Sequence, residues 1–310
     1  MTDGSRRAIV AAFLANLGIA AAKLVAFAFT GAASMLAEGV HSLADTGNQA
    51  LLLLGGTRAR RVATVEHPFG FGRERYFWAF VVALVLFSMG AVFAVAEGIE
   101  KLIHPHELSS PGWALAVLGI AIGLESFSLR TAIHEAATLR GRDGWWSFIR
   151  HTKNPELPVV LLEDVGALVG LVFAAAGVSL AVSTGDARWD AVGSVAIGLL
   201  LGVIAIILAV EMKSLLIGEA AAPETIAAIH DALASGKGVT HVIHLRTLHL
   251  GPEDLLVAAK VAFEPTLSLS IVADLVNVLE VAVRTRVPTA RLIFIEPDVF
   301  RPARQPAPGA

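Results

Sequence analysis

Ionisable residues stand inside two stretches of this chain that are otherwise apolar enough to cross a membrane. The first stretch carries His41 and Asp45, and the second carries Glu163 and Asp164. A charge in hydrocarbon costs roughly 2.5 to 3.5 kcal/mol on insertion scales, so such groups normally face a partner, a cavity or an ion. We therefore interpret the two groups as parts of a functional site.

The first group has the spacing of a metal half-site. His41 and Asp45 stand four residues apart, so a helix would bring both onto one face, with Asn48 one turn further on. Zinc accepts imidazole nitrogen and carboxylate oxygen at about 2.0–2.2 Å and is usually held by four ligands. The chain has no cysteine, so a transition metal must be held by imidazole and carboxylate groups. We therefore predict His41, Asp45 and Asp164 as ligands.

The fourth ligand is open at this stage. Glu163 directly precedes Asp164, and neighbours on a helix point about 100° apart, so both reach one ion only if one side chain bends back. The other candidates are Asn48, Asn16, Glu125 and water. The competing hypothesis is a buried, hydrogen-bonded cluster that only fixes helix packing. We expect no basic partner for these acids, and without a cation their mutual repulsion is uncompensated, which favours the metal site.

Membrane-spanning helices must position these residues. The chain has 310 residues, of which 55% are hydrophobic and only 16% charged, so it has too little polar surface to coat a soluble domain. A helix needs about 20 mostly apolar residues to cross the bilayer. Six windows qualify, near residues 8–30, 35–57, 77–102, 113–137, 159–182 and 189–212. We predict an α-helical membrane protein with six transmembrane helices, and a net charge of −3 suggests no nucleic-acid partner.

The distribution of basic residues predicts the orientation. The chain start and the connections after the second and fourth windows hold most arginines, whereas the opposite connections have little beyond Lys101 and Arg188. By the positive-inside rule both termini are cytoplasmic. No signal-peptide or transit-peptide pattern is evident, so we expect the first span to stay as an anchor. We expect a multi-pass protein, with a bacterial plasma membrane as its location. In this orientation Asp45 and Asp164 lie a few residues in from opposite faces of the membrane. Their side chains can meet only if the helices tilt or the site lies at mid-bilayer.

The pattern changes after residue 213. Periodicity predicts a helix at 224–233, strands at 239–250 and 255–263, a helix at 268–286 and a strand at 290–295. The αββαβ order is typical of a small α+β domain. We predict a transmembrane domain over 1–213 and a cytoplasmic domain over 214–300. Residues 301–310 are rich in proline with little to bury, and we expect a disordered tail.

Three segments resemble the cation diffusion facilitator family: Gly31 to Asp45 (GAASMLAEGVHSLAD), His67 to Arg75 (HPFGFGRER) and Leu102 to Pro105 (LIHP). The similarity runs over nearly the whole chain. It implies a six-span exchanger that moves zinc or another divalent metal out of the cytoplasm against protons. It also implies a homodimer with a ferredoxin-like cytoplasmic domain, and a metal that is the transported substrate, with no tightly bound cofactor.

The family's transport site uses a [H/D]xxxD pair on helix two and a similar pair on helix five. His41 and Asp45 match the first pair, and Asp164 matches one member of the second, whereas Val160 stands at the remaining position. The acidic pair Glu163-Asp164 resembles the branch of the family that includes zinc transporter nine and its bacterial relatives. The residues and the resemblance together predict a metal site of His41, Asp45, Asp164 and Glu163, and the spacing of the residues adds Asn48 and Glu125 as further candidates.

Four other histidines are candidate metal ligands. His67 matches a loop histidine that holds a second metal in some family members, but Phe71 stands where a second histidine would help. Strand alternation puts His241 and His249 on one face and His244 on the other. The family's metal positions in this domain carry Ile243, Ala259, Ser270 and Phe294 here. We interpret the strand histidines as an exposed polar face.

The function predicted from the sequence is divalent metal efflux, with zinc the first candidate, by metal/proton antiport with alternating access. Manganese, iron or cobalt export is the alternative, and so is a non-transporting, metal-sensing scaffold. An intramembrane zinc protease would need a HExxH helix. His134-Glu135 begins that motif, but Thr138 stands where the second histidine should be, so we expect no enzyme. Metal ions, protons, membrane lipid and a second copy of the chain are the expected partners.

Overall fold

The computed structural model describes residues 3–105, 110–141 and 144–300, and at some helical positions, His41 among them, it describes the backbone alone. The described chain divides into two compact units. The first comprises residues 3–61 and 74–214, and the second comprises 62–73 and 215–300. The predicted tail, 301–310, lies outside the described residues.

Helices build the first unit. They are α1 (Asp3–Thr30), α2 (Ala33–Arg58), α3 (Glu74–Val81), α4 (Ser88–Ile103), α5 (Pro111–Arg140), α6 (Trp145–His151), α7 (Glu156–Thr184) and α8 (Arg188–Ile217). A π-helical stretch, Val82–Phe87, joins α3 and α4. Gly31, with φ +65°, forms the turn between α1 and α2, a conformation that glycine adopts without strain.

Several of these helices are long and apolar enough to cross a membrane. Among the described residues four segments qualify, namely Glu74–Ile103, Pro111–His134, Glu156–Thr184 and Arg188–Ile217. In α1 the apolar run is the shorter Asn16–Thr30, and α2 is interrupted by ionisable residues. Large apolar side chains lie exposed on these helices, for example Val92, Phe127 and Ile206, as expected of surfaces that face lipid. The protein is a multi-pass membrane protein; each predicted window lies in a helix, and the number six stays a prediction.

Glycines on one face of α7 let neighbouring helices approach closely. A Cβ at position 170 would lie 2.5 Å from Oε1 of Glu38 on α2, and one at position 177 would lie 2.9 Å from the carbonyl oxygen of Trp189 on α8. Small residues at helix contacts are typical of membrane bundles. At Gly177 the backbone of α8 therefore approaches α7 to a distance that only glycine permits, whereas at Gly170 the contact is with the flexible end of Glu38.

The second unit is a three-stranded sheet with two helices. Its elements are α9 (Pro223–Ala234), β1 (Val239–Gly251), β2 (Asp254–Phe263), α10 (Leu269–Arg286) and β3 (Ala290–Asp298). The strand order is β1-β2-β3, in which β1 pairs antiparallel with β2, and β3 pairs parallel with β2 after the α10 crossover. The core between sheet and helices contains residues such as Ile229, Leu233, Val257, Leu279 and Val283. The ferredoxin-like assignment stays a prediction.

The strand histidines do not follow simple alternation. Register shifts interrupt β1 between Val239 and His241 and between Val242 and His244. Because a bulge adds a residue to one strand, it reverses the alternation that follows. His241 and His244 are both exposed, whereas His249 is buried at 7% exposure. The predicted pairing of His241 with His249 on one exposed face was therefore wrong.

The connection between α2 and α3 belongs to the second unit. Gly72 packs so closely on the β1–β2 turn that a Cβ there would lie 2.6 Å from the carbonyl oxygen of Leu250. His67, in the same connection, is exposed, and its ring lies edge-on to Phe71 with the centroids 4.6 Å apart. The loop that the sequence placed in the transmembrane domain is thus packed against the hairpin.

Candidate metal centre

Four helices of the first unit contribute buried ionisable side chains to one region. α1 supplies a lysine, α2 and α7 supply two acids each, and α5 supplies one acid. They are Lys23, Glu38, Asp45, Glu125, Glu163 and Asp164, all at most 8% exposed. Buried ions need partners, so the contacts of each group decide what this region can do.

One face of α2 carries most of the polar groups. Glu38, Ser42, Asp45 and Asn48 follow one another at spacings of three or four residues, which is one side of a helix, and all four are buried. Asp45 lies at the middle of this 26-residue helix. His41 lies on α2 four residues before Asp45, but its side chain is not among those described. Its role as a ligand stays a prediction.

The two acids of α7 face different neighbours. Ser128 on α5 donates a hydrogen bond of 3.1 Å to Oδ2 of Asp164. The carboxylate of Glu163 lies instead near the side chain of Asn48 on α2. Adjacent helical residues diverge by about 100°, and here each finds a partner on its own side. Glu163 therefore reaches the α2 side of the cluster, while Asp164 is anchored toward α5.

The carboxylates lie close enough to repel one another. Asp45 is within Coulombic range of Glu125, Glu38 and Asp164, and Glu163 is within range of Asp45, Asp164 and Glu125. Asp45 on α2 and Asp164 on α7 therefore lie in the same region of the bundle. Glu125, on α5, interacts with acids on both α2 and α7.

A buried lysine belongs to this region, and sequence reasoning missed it. Nζ of Lys23 lies 3.2 Å from Oε2 of Glu38 and donates a hydrogen bond of 2.6 Å to Oγ of Ser42. The expectation that the acids have no basic partner was wrong. The signal was present, since Lys23 interrupts the apolar run of α1 and Glu38 interrupts that of α2. Intramembrane ions usually pair with one another, which makes such a lysine worth searching for.

Some acceptor oxygens in this region have no hydrogen-bond partner among the side chains that the structure describes. They include Oε1 of Glu38, Oδ1 of Asn48 and Oε2 of Glu163. Buried polar atoms are satisfied in the great majority of cases, so each exception needs an explanation such as an ion. Oxygen acceptors on carboxylates and amides suit a divalent cation.

The described side chains do not by themselves form a complete metal shell. Among them, with His41 excluded, no three His, Asp or Glu residues lie close enough to hold one ion. Val160 is half-buried and offers no ligand atom, and Asn16 is half-buried on α1. The structure therefore brings the predicted acids into one electrostatic cluster, and it leaves the ligand set itself untested.

A family model for the cation efflux transmembrane domain matches residues 9–217, about two thirds of the chain. The chain belongs to the cation efflux family. The matched region contains most of α1, all of α2 to α8 and the whole buried cluster described above. Members of this family are transporters, which agrees with the expectation that the chain is not an enzyme.

Individual relatives refine the family assignment. The chain is 34% identical over 244 residues to the mitochondrial proton-coupled zinc antiporter SLC30A9 of Xenopus laevis, covering 78% of this chain and 44% of that protein. The human protein of the same name is 31% identical over 245 residues, covering 78% and 43%. Metal tolerance protein C4 of Arabidopsis thaliana is 28% identical over 261 residues, covering 84% and 57%. The predicted family and branch are confirmed, and the chain spans less than half the length of the zinc antiporters it matches.

Proposed function

We propose that this protein exports a divalent metal, zinc in the first place, in exchange for protons. Membership of a cation efflux family supports transport, and relatives named as proton-coupled zinc antiporters support both zinc and protons. One observation within the chain supports the site: acids from α2 and α7 are buried together with open acceptor oxygens on Asn48 and Glu163. Manganese, iron and cobalt are the alternative substrates, since oxygen-rich sites accept them too.

The proposed ligands are those predicted from the sequence: His41, Asp45, Asp164 and Glu163, with Asn48 and Glu125 as further candidates. Asp45 and Asp164 supply carboxylates from different helices, so a cation between them would hold α2 and α7 together. The anchoring of Asp164 by Ser128 fixes one of these carboxylates before the ion arrives. Val160 cannot contribute, and Glu163 takes its place in our proposal.

The proposed exchange of metal for protons rests on the charge balance of the buried cluster. Five carboxylic acids share this buried region with one lysine, and buried carboxylates must be neutralised. A divalent cation and protons neutralise the same oxygens and exclude each other. His41 suits this competition because one imidazole nitrogen cannot bind a proton and a metal together. An unperturbed imidazole has a pKa near 6.5, close to neutral pH. We propose that the bundle alternates between two openings, and that protons displace the metal on the far side.

The remaining proposals concern topology and assembly. We propose six spans with both termini cytoplasmic, a homodimer embedded in lipid, and a bacterial plasma membrane as the location. The two zinc antiporters named above are mitochondrial proteins, so fractionation of the native cells decides the compartment. The apolar segments in α3 to α8 support the membrane assignment whatever the compartment.

The proposed transport is tested in sealed proteoliposomes that contain the purified full chain. Zinc uptake is measured with an internal fluorescent indicator under an imposed pH gradient, with manganese, iron and cobalt as competitors. We expect zinc uptake that the gradient drives, and its loss in Asp45→Ala and Asp164→Ala. The double variant Lys101→Gln/Asp190→Asn is the matched control, because Asp190 is also a buried acid, at 0% exposure, and pairs with Lys101 elsewhere in the unit, so that neither charge is left unpaired.

The outcomes separate the alternatives. Uptake that ignores the pH gradient would remove the proton coupling from the proposal. No flux of any metal from a well-folded protein would contradict transport and favour a scaffold. If manganese or cobalt outcompetes zinc, transport stands and the zinc assignment falls.

A further inference from the structure

Lys23 is enclosed within the helix bundle. Its side chain is 0% exposed, and its ammonium group is held between Oε2 of Glu38 at 3.2 Å and Oγ of Ser42 at 2.6 Å. An ammonium group carries three donor protons, and the third has no partner among the described residues. The lysine is thus a buried positive charge with one donor still available.

The surroundings of Lys23 are strongly acidic. Beyond Glu38, which it touches, the ammonium group lies within Coulombic range of Asp45 and Glu125. Asp45 is one of the proposed metal ligands and lies one turn beyond Ser42 on the same face of α2. The positive charge of Lys23 therefore acts directly on the acids that would receive the metal.

The partner carboxylate is not fully engaged by Lys23. Among the described side chains Oε1 of Glu38 has no hydrogen-bond partner, although the side chain is 0% exposed. A pair that existed only to fix packing would be expected to satisfy both oxygens, since partly satisfied buried networks are costly. The end of Glu38 also lies against Gly170 of α7, so the pair sits at the contact between α2 and the helix that carries Glu163 and Asp164.

We propose that Lys23 is a resident counter-ion that lowers the affinity of the transport site for its metal. The proposal rests on the function proposed above. Lys23 does not bind the metal. Its fixed positive charge offsets part of the negative charge of the cluster, so that the metal is held loosely enough to leave, as transport requires. Glu38 holds the ammonium group of Lys23 in place, and its negative charge offsets part of the positive charge of Lys23.

A charge-balance series tests this proposal. Lys23→Gln makes the cluster more negative by one charge, Glu38→Gln makes it more positive by one, and the double variant restores the original balance. The full chain in lipid nanodiscs is titrated with zinc chloride by calorimetry at pH 8, where protons compete least. We expect the zinc Kd to fall about tenfold in Lys23→Gln and to rise about tenfold in Glu38→Gln, because charges interact strongly at an effective dielectric constant of about 20.

The double variant Lys23→Gln/Glu38→Gln separates charge from packing. We expect it to bind zinc with nearly the wild-type Kd, since neutral replacement of a whole buried pair is often tolerated. The matched control is Lys101→Gln/Asp190→Asn, a second buried lysine–acid pair away from the cluster, and its zinc Kd should not change. A purely structural role predicts instead that both single variants weaken binding and that the double variant does not recover.

The possible results decide between the proposals. Shifts of the same sign in the two single variants, or an unchanged Kd in Lys23→Gln while the wild type binds zinc, would overturn the role of Lys23 and leave the transport function intact. If Lys23→Gln does not fold, the double variant decides: a wild-type Kd supports the proposal and a weakened one overturns it. A wild-type chain that neither binds nor transports zinc removes the proposed zinc function, and this inference with it.

Discussion

Two lysines are buried among the helices of the first unit, and each is paired with a buried acid at nearly the same distance. In the first pair, which we call the site pair, Lys23 lies 3.2 Å from Glu38. In the second, the end pair, Lys101 lies 3.4 Å from Asp190. Residue type, distance and burial are nearly identical in the two pairs. The difference lies in what surrounds them, and it is this difference that assigns them separate roles.

The end pair ties helix ends together. Lys101 is in the last turn of α4, Asp190 is in the first turn of α8, and Lys101 also donates a hydrogen bond to the carbonyl of Gly31 in the α1–α2 turn. No residue of the acidic cluster takes part in these contacts. The site pair instead lies within range of Asp45 and Glu125. The end pair joins α4, α8 and the α1–α2 turn, whereas the site pair contributes charge to the acidic cluster.

The largest expected effect comes from breaking the end pair. Lys101→Met leaves Asp190, at 0% exposure, without its lysine. We expect the free energy of unfolding to fall by about 3–5 kcal/mol, as for other buried pairs that lose one partner. Denaturant titration in detergent, followed by circular dichroism, measures this loss. The double variant Lys101→Met/Asp190→Leu should recover most of it, because no buried charge remains.

The same variants test the comparison functionally. A folded end-pair variant should keep the wild-type zinc Kd, in contrast to the site-pair variants described above. If Lys101→Met/Asp190→Leu changes the zinc Kd as much as Lys23→Gln does, the two pairs do not have separate roles. Their similarity in geometry would then be the more informative observation.

The next effect separates two glycines of α7, one beside each pair. A Cβ at position 177 would lie 2.9 Å from the backbone oxygen of Trp189, which cannot move without moving α8. A Cβ at position 170 would meet the flexible end of Glu38. We expect Gly177→Ala to lower the free energy of unfolding by about 1–3 kcal/mol, the usual range for overpacking. Gly170→Ala should cost less stability and should instead change the zinc Kd by displacing Glu38 from Lys23.

Gly202→Ala on α8 is the control for both glycine variants, since its added Cβ would lie 3.9 Å from Cβ of Ala91, an ordinary contact. It should leave stability and zinc binding nearly unchanged. Equal loss of stability in Gly170→Ala and Gly177→Ala, with no change in the zinc Kd, would argue that both pairs serve packing alone.

A smaller effect is expected from the hydrogen bond that anchors Asp164. Ser128→Ala removes the donor 3.1 Å from Oδ2. Hydrogen bonds to charged groups contribute about 1.5–3 kcal/mol. Because the ligand loses its orientation, we expect the zinc Kd to rise about tenfold. Ser126→Ala on the same helix is the matched control, because Ser126 donates only to the carbonyl of Ile122. Identical Kd values in the two variants would remove Ser128 from the site.

The helices of this fold were predictable because their signal is local. Apolar runs long enough for a bilayer mark α5 and α7, and shorter or interrupted apolar runs mark α1 and α2. Alternation marks the strands of the second unit. The irregular parts were not predictable in this way. The bulges in β1 that expose both His241 and His244 depend on pairing with β2, and the packing of Gly72 on the hairpin depends on a contact distant in sequence.

Four of the acids, Asp45, Glu125, Glu163 and Asp164, were found from sequence for the same reason, since each interrupts an apolar run, whereas Glu38 was missed. The pairing of Lys23 with Glu38 was missed because it depends on how α1 packs against α2, which periodicity within one helix does not reveal. The separation of Glu163 from Asp164, toward Asn48 and Ser128 respectively, also arises from packing between helices. Residue types located the site, and tertiary contacts decided its charge.

The smallest effect concerns a third lysine, Lys260, which forms ion pairs with acids at a partly exposed position. Lys260, in the second unit, lies 2.8 Å from Oε1 of Glu296 and 3.0 Å from Oδ2 of Asp298, and its side chain is 25% exposed. The hydrogen bond to Glu296, followed by the one to Asp298, raises the pKa of Lys260 above its ordinary value. A raised folded-state pKa of a lysine stabilises the fold below the unfolded-state pKa near 10.4, and this contribution is lost as pH rises through the folded-state pKa.

We therefore expect Lys260→Gln to lower the Tm of the full chain slightly at pH 7 to 9, and the difference from wild type to vanish in strongly alkaline solution. Thermal scans at 0.05 M and 1 M salt complete the test. Salt screens exposed charges far more than buried ones, so 1 M salt should shrink the effect of Lys260→Gln and leave that of Lys101→Met largely unchanged. Equal salt dependence of the two variants would mean that water reaches the end pair, and the contrast between buried and exposed pairing would fail.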